Sequence, residues 1–176
     1  MLASADRLSA PMPLVIRPVR RDDAPALAEL LNAIIARGGT TALQEPYSAE
    51  GLADAYLLGA DVICCFVAVD AGTGTLEGFQ TLGRLPSLPK GWGDIGTFAR
   101  VGGTQRGIGS ALFAATREEA RRQGLQVINA TIRADNAGGL AFYGRMGFED
   151  HDVSRAVPLR DGTPVDRVHK RYPLVG

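Results

Sequence analysis

The sequence TFARVGGTQRGIGSALFAATREEARRQG, residues 97–124, reads as a strand, a glycine-rich turn and a helix. Behind the turn, apolar residues recur with the spacing of one helix face, at Ile108, Ala111, Leu112 and Ala115. Gly107 and Gly109 stand where this helix begins, so a ligand can approach the unpaired backbone N–H groups at its positive end. A glycine-rich turn at the start of a helix is typical of a phosphate-binding site.

Two common phosphate loops do not fit this turn. A nucleotide-hydrolysing P-loop requires Gly-Lys-Ser/Thr, whereas Gly107 is followed by Ile108 and Gly109. A dinucleotide fingerprint requires a third glycine where this chain has Leu112, and no strand-helix-strand repeat fills the N-terminal half. Because glycines at a turn often serve only its backbone conformation, the turn alone does not establish a ligand.

A second motif, NAGGLAFYGRMGF, covers residues 136–148. Read locally, Asn136 caps a helix and Gly147 ends it. Together with the turn at 104–109, TQRGIG, it resembles the GCN5-related N-acetyltransferase (GNAT) superfamily, whose two motifs read Arg/Gln-x-x-Gly-x-Gly/Ala and Asn-x-x-Ala-x-x-Leu-Tyr-x-x-x-Gly-Phe. Thr104 departs from the first position of the coenzyme loop, and Arg106 is placed to compensate. The resemblance extends more weakly over residues 16–172.

The resemblance implies an enzyme that transfers an acetyl group from acetyl-CoA to an amine. Backbone groups of the strand would bind the pantetheine and the thioester carbonyl, and N–H groups of the turn would hold the pyrophosphate. The expected coenzyme contacts are Thr97, Phe98, Ala99, Gln105, Arg106, Gly107, Ile108, Gly109, Ser110, Asn136 and Tyr143.

Two residues are expected to act in the chemistry that the resemblance implies. Tyr143 would protonate the departing thiolate, because a phenol keeps its proton at neutral pH. Asp94 aligns with the glutamate of the Glu-x-Ser-Val-Tyr-Val strand of phosphinothricin acetyltransferases, and would accept the amine proton directly or through water. Without the family, Tyr143 reads as a core tyrosine and Asp94 as a solvated residue at a strand end.

The resemblance implies that the loop after the first predicted helix forms one wall of the acceptor site. Its Gly39-Thr40-Thr41 and Glu45-Pro46 resemble the phosphinothricin branch, which implies a small primary amine, an amino acid or an analogue, contacted by Thr41 and Glu45. An exposed loop glutamate is otherwise simply solvated. Two alternatives stay open: a protein or peptide N-acetyltransferase, which needs an open groove, and a non-catalytic acyl-CoA sensor.

Composition narrows the class of protein further. The 176 residues, 45% hydrophobic, suit one domain, predicted over 14–176 after a flexible leader at 1–13. Lys plus Arg and Asp plus Glu number 19 each, so no basic field favours nucleic acid. No apolar run or N-terminal signal pattern suggests a membrane, and we expect a cytoplasmic protein. The isolated histidines predict no metal site. Pairing of C-terminal strands into a homodimer stays open.

The periodicities predict the element order β, α, α, β, β, β, α, β, α, β, β. The fold class is therefore α/β (α+β), a single-domain mixed sheet of about seven strands flanked by about four helices. The second helix is predicted from Ser48 to Leu58. The adjacent Cys64 and Cys65 lie in a predicted strand, where neighbouring side chains point to opposite faces and rarely form a bridge.

Overall fold

The computed structural model of the chain describes residues 13–103 and 107–175. Its strands are β1 (Leu14–Pro18), β2 (Val62–Asp70), β3 (Leu76–Gly83), β4 (Trp92–Ala99), β5 (Val127–Arg133), β6 (Glu149–Pro158) and β7 (Pro164–Pro173). Its helices are α1 (Ala24–Arg37), α2 (Ala49–Leu52), α3 (Ile108–Arg122) and α4 (Ala137–Arg145). The strands form one sheet in the order β1-β2-β3-β4-β5-β7-β6. The predicted fold class and order of elements are confirmed, while residues 1–12 of the predicted leader lie outside the described ranges.

Helices cover both faces of this sheet. The first face carries α1 and α2, whose buried residues include Leu27, Leu31 and Leu52. The opposite face carries α3 and α4, and its cluster includes Phe113, Ile128, Tyr143 and Phe148. The two cysteines follow the predicted alternation, because Cys65 belongs to the first cluster while Cys64 packs against the second, and both thiols are free. Among the helices of the described ranges, none is long and apolar enough to cross a membrane.

The central strands β4 and β5 run side by side over only part of their length. They are parallel and paired from Trp92 with Val127 to Ile95 with Ala130. Beyond this point β4 continues to Ala99 against β3, and β5 continues to Arg133 against β7. Within the described residues no ladder pair joins β4 to β5 after Ile95. A wedge-shaped gap therefore opens between the carboxyl ends of the two strands.

The second helix differs from the prediction after its first turn. Ser48 caps it as expected by accepting a hydrogen bond from the Gly51 N–H. The next residues, Ala53–Leu57, form a π-helical turn, in which the Leu58 N–H donates to the Ala53 carbonyl at 2.8 Å. The Tyr56 carbonyl accepts a hydrogen bond of 2.6 Å from the hydroxyl of Thr81 on β3. This tertiary hydrogen bond accompanies the wider turn, a form that often occurs at functional sites.

Candidate active site

A cavity of about 630 Å³ opens where β4 and β5 separate. Its wall is built from both strands, the loop after α1, the turn after α2 and the first turns of α3 and α4. The predicted site residues that line it are Thr41, Asp94, Thr97, Phe98, Ala99, Gly109, Asn136 and Tyr143. Residues distant in sequence thus meet at one opening of the sheet. No group of three or more metal-ligating side chains occurs within residues 13–103 and 107–175.

The amino terminus of α3 forms one end of this cavity. Gly107 precedes the helix in the left-handed conformation, with φ 77°, and the buried Ile108 anchors the first turn. The first intrahelical hydrogen bond runs from the Ala111 N–H to the Gly107 carbonyl. The N–H groups of Ile108, Gly109 and Ser110 precede this bond, as at every helix start. They form a site suited to an anion. Gln105 and Arg106 lie outside the described residues.

Gly109 has a packing role in addition to its expected place in the coenzyme loop. A Cβ atom built on Gly109 would lie 2.7 Å from Cε2 of Phe142. Phe142 belongs to α4, so the glycine permits close approach of α3 and α4. A larger residue here would disturb this contact whether or not a ligand binds.

Tyr143 is buried at the base of the gap, on the α3 and α4 face of the sheet. Its hydroxyl lies 2.9 Å from Oγ1 of Thr97 on β4, and that oxygen also accepts a hydrogen bond of 2.9 Å from the amide of Gln80. Burial raises the pKa of the phenol well above its usual value of 10.0, a nearby Asp94 adds to this rise, and the Thr97 hydrogen bond opposes it. Tyr143 therefore keeps its proton at neutral pH and has a fixed orientation.

Asp94 projects from β4 toward the other face. It is in register with Asn129 of β5, and Nδ2 of Asn129 donates to its carboxylate at 2.7 Å. Burial raises the pKa of Asp94 to about 6, against the opposing effect of that hydrogen bond. A carboxylate with a raised pKa is a stronger base than an exposed aspartate. Asp94 is thus suited to accept a proton near neutral pH.

A row of polar side chains continues from Asp94 along β5 and β7. Asn129 also donates to the Thr131 hydroxyl at 3.2 Å, and that hydroxyl lies 3.0 Å from Nδ1 of His169. His169 in turn lies 2.7 Å from the Ser154 hydroxyl of β6 through its Nε2. Strand alternation places these residues on the face that carries α1 and α2. Asp94 is therefore held by a hydrogen-bonded row.

The loop between α1 and α2 is held by hydrogen bonds at two places, one at Thr40 and Thr41 and the other at Gln44. The carbonyls of Thr40 and Thr41 accept hydrogen bonds from Asn136 and Arg133, at 3.0 and 3.3 Å. Gln44 accepts one from the backbone N–H of Arg160 at 2.7 Å. The loop therefore crosses from β5 to the turn between β6 and β7.

These contacts bear on three predicted site residues. The Asn136 amide is already engaged, because its oxygen caps α4 at Gly139 while its nitrogen holds the loop. Thr41 lines the cavity, but its hydroxyl accepts a hydrogen bond from the Leu43 N–H at 3.0 Å. The exposed Glu45 pairs with Arg160 at 2.9 Å and does not belong to the cavity wall.

Sequence reasoning missed three residues that shape the site. Gln80 and Asn129 reach the site because of strand register. Gln80 on β3 lies opposite Thr97, and Asn129 on β5 lies opposite Asp94. Tyr56 enters the cavity wall through the π-helical turn. A polar residue inside an otherwise apolar strand was the available signal for Gln80 and Asn129.

The family model for the acetyltransferase (GNAT) family matches residues 40–148, well over half of the chain. The chain therefore belongs to this family, and the resemblance drawn from the two motifs is confirmed, together with the class of enzyme. An uncharacterised N-acetyltransferase of Methanocaldococcus jannaschii is 38% identical over 48 residues, which are 27% of this chain and 21% of that protein. The chain thus covers only a small part of that relative.

Solved structures share the fold over nearly the whole chain. YncA of Salmonella typhimurium, crystallised with acetyl-CoA, has a TM-score of 0.78 and 19% identity, covering 92% of this chain and 94% of its own. A phosphinothricin acetyltransferase of Sinorhizobium meliloti, also in complex with acetyl-CoA, has a TM-score of 0.78 and 18% identity, covering 92% and 89%. At these identities the likeness concerns the fold.

Proposed function

We propose that the chain is an acetyl-CoA-dependent N-acetyltransferase whose acceptor is the primary amine of a small molecule, an amino acid or an analogue of one. The observation that carries this proposal is the convergence of a protonated, oriented Tyr143 and a basic Asp94 on one cavity, from opposite faces of the sheet. A coenzyme and an acceptor can then meet in the gap between β4 and β5.

The chain offers suitable groups for acetyl-CoA on both sides of this gap. The edge of β4 from Gly96 to Ala99 faces away from β3 with no ladder partner on β5 in the described ranges. Its backbone groups are free to bind the pantetheine amides, and the first N–H groups of α3, at Ile108, Gly109 and Ser110, suit the pyrophosphate. The contacts of Gln105 and Arg106 with the pyrophosphate stay predictions, because both residues lie outside the described ranges.

Bound acetyl-CoA would supply a thioester carbonyl for direct attack by the amine. Asp94 takes the proton that the amine nitrogen loses as the C–N bond forms, directly or through a water molecule. Tyr143 donates its proton to the sulfur as the C–S bond breaks, so that the products are the N-acetylated acceptor and free coenzyme thiol. Gln80 holds Thr97, and Thr97 holds Tyr143 in position for this transfer.

The fixed loop between α1 and α2 supports a small acceptor over a peptide. A peptide substrate needs an open groove along the sheet, whereas this loop lies across it from Arg133 to Arg160. A cavity of about 630 Å³ has the size of an ordinary small-molecule site. The retained Tyr143 argues against a non-catalytic sensor.

The test is the release of free thiol from acetyl-CoA in the presence of separate acceptors. The panel contains amino acids, methionine sulfoximine, polyamines and peptides. We expect turnover with one or more amino acids or analogues. Turnover confined to peptides or proteins would replace this acceptor class, and acetyl-CoA binding without turnover on any acceptor would favour the sensor.

A further inference from the structure

The hydrogen-bonded row at Asp94 leads from the cavity to a histidine outside it. The amide nitrogen of Asn129 donates to Oδ1 of Asp94 at 2.7 Å and to the Thr131 hydroxyl at 3.2 Å. The Thr131 hydroxyl lies 3.0 Å from Nδ1 of His169, and Nε2 of His169 lies 2.7 Å from the Ser154 hydroxyl. Asp94 and Thr131 both line the cavity. Every step from the proposed base to His169 is therefore a direct contact.

The contacts of Thr131 indicate which nitrogen of His169 carries the proton. The Thr131 oxygen accepts from Asn129, so its single hydroxyl proton remains to be donated. Nδ1 of His169 is the acceptor within reach of that proton among the described side chains. A neutral imidazole that accepts at Nδ1 carries its own proton on Nε2, and Nε2 then donates to Ser154. In this arrangement Thr131 both accepts and donates within the row.

The amide of Asn129 does not fix its own orientation. The residue is only 2% exposed, and its Oδ1 atom is buried without a hydrogen-bond partner within residues 13–103 and 107–175. If the amide turned by 180°, Nδ2 would become the buried atom without a partner, so neither orientation satisfies the whole group. The turned amide would offer Oδ1 to a protonated Asp94 and to the Thr131 hydroxyl. The orientation therefore depends on the groups at the two ends of the row, Asp94 and His169.

Several ionisable groups surround the row without taking part in it. The charge of Asp94 acts on the phenols of Tyr56 and Tyr143, but burial raises the pKa of both well above the usual value and both keep their protons. Strand register and alternation place further neighbours of His169 on its face of the sheet, and these are Arg133, His151, Asp152, Arg167 and Arg171. In the described part of the chain, the Thr131 hydroxyl has hydrogen bonds only with Asn129 and His169. His169 is therefore the neighbour that can direct the Thr131 proton.

We propose that His169 is a positioning residue for Asp94, because its Nδ1 accepts the Thr131 proton and so holds the Asn129 amide as a donor to the carboxylate. This role rests on the proposed N-acetyltransferase function, in which Asp94 accepts the amine proton. A donor at Oδ1 favours the ionised carboxylate, which is the form that can act as a base. Without the acceptor at Nδ1, the Thr131 proton can turn to Asn129, the amide reverses more easily, and Asp94 keeps its own proton to a higher pH.

The first test locates the proton on His169 and needs no acceptor. The chain has two histidines, so His151→Gln leaves His169 as the single imidazole. The ¹⁵N NMR spectrum of this variant at pH 8 then reports the protonation of each ring nitrogen. We expect Nε2 to carry the proton and Nδ1 to be unprotonated. The opposite tautomer, or an equal mixture of the two, would overturn the proposal.

The second test follows the titration of Asp94 in the free protein through the ¹³C resonance of its carboxyl carbon. Two variants of His169 form a matched pair, because the side-chain amide of asparagine lies where Nδ1 was, whereas that of glutamine lies one carbon further out, towards Nε2. We expect the titration midpoint, about pH 6 in the parent protein, to rise by about half a pH unit to one pH unit in His169→Gln. His169→Asn should keep the parent midpoint.

Thr131→Val breaks the row at an exposed residue and should raise the midpoint by a similar amount, so the test remains decisive if His169→Gln does not fold. An unmoved midpoint in Thr131→Val and in a folded His169→Gln would overturn the proposal. A lower melting temperature with an unmoved midpoint would show that His169 has only a structural role. An equal rise in His169→Gln and His169→Asn would also overturn the proposal, because the effect would not depend on the acceptor at Nδ1.

The third test separates the role of His169 from the proposed function. In His169→Gln the decrease of kcat/KM at acid pH should move upward by as much as the Asp94 midpoint, with unchanged affinity for acetyl-CoA, and His169→Asn should keep the parent profile. A pH profile that does not move while the midpoint does would overturn the role of His169 in the transfer and leave the transferase function intact. If no acceptor is turned over, the function fails, and the first two tests still decide whether His169 orients the row.

Discussion

Asp94→Asn should stabilise the protein while it removes activity. The substitution replaces a half-buried carboxylate with a neutral group of the same shape, and the new amide oxygen can still accept the hydrogen bond from Asn129. Burial raises the pKa of Asp94 from 3.8 to about 6 in the folded chain. The folded protein therefore binds this proton more tightly than the unfolded chain does.

The sign and size of the stability change follow from this difference. The contribution of the protonated Asp94 to stability is fully present below pH 3.8, and it is lost as the pH rises through about 6. At 1.36 kcal/mol per pKa unit, the ionised carboxylate costs about 3 kcal/mol at pH 7.5. We expect Asp94→Asn to raise the free energy of unfolding by up to about 3 kcal/mol at pH 7.5, and by almost nothing at pH 4.

Urea unfolding at several pH values measures this effect, with the exposed Asp54→Asn as a control of equal charge change. In parallel, the kcat/KM of the parent protein should decrease as the pH falls below the Asp94 pKa of about 6. This decrease is the acid limb of the pH profile. Asp94→Asn should lower the activity about 10²–10⁴-fold and should no longer show the acid limb. A stability gain that is the same at pH 4 and pH 7.5, or an acid limb that persists in the variant, would refute the reasoning.

Three further variants test other parts of the site. Tyr143→Phe should lower kcat about 10²-fold with unchanged acetyl-CoA affinity by calorimetry, and an unchanged kcat would remove the phenol from the mechanism. Ser110→Glu should weaken acetyl-CoA binding at least about tenfold without lowering the melting temperature, because an acidic side chain suits the first turn of a helix but repels pyrophosphate. Ser110→Gln is the uncharged control. Equal affinities of the two variants for acetyl-CoA would exclude the start of α3 as the pyrophosphate site. Asn129→Leu removes the hydrogen bond that Asn129 donates to Asp94, so the pKa of Asp94 should rise and the acid limb of the kcat/KM profile should move about one pH unit upward. An unmoved limb would contradict the assignment of Asp94 as the base.

Much of the fold could be predicted because its signals are local. The helix at Ile108–Arg122 and the strand at Val127–Arg133 follow from periodicity, and the caps at Ser48 and Asn136 follow from residue type. The π-helical turn at 53–57 could not be predicted, because the sequence pattern there is that of an ordinary helix. The Tyr56 carbonyl within this turn accepts a hydrogen bond from Thr81, a residue 25 positions along the chain, and no local pattern indicates that contact.

The site could be predicted only where a motif carries it. Tyr143 and Asp94 occupy motif positions, so the sequence identified both as candidates. Gln80 and Asn129 depend on which residues face each other in the ladders, and single-sequence patterns do not fix that register. Gly109 illustrates the same limit, because its contact with Phe142 joins two helices that no local signal relates.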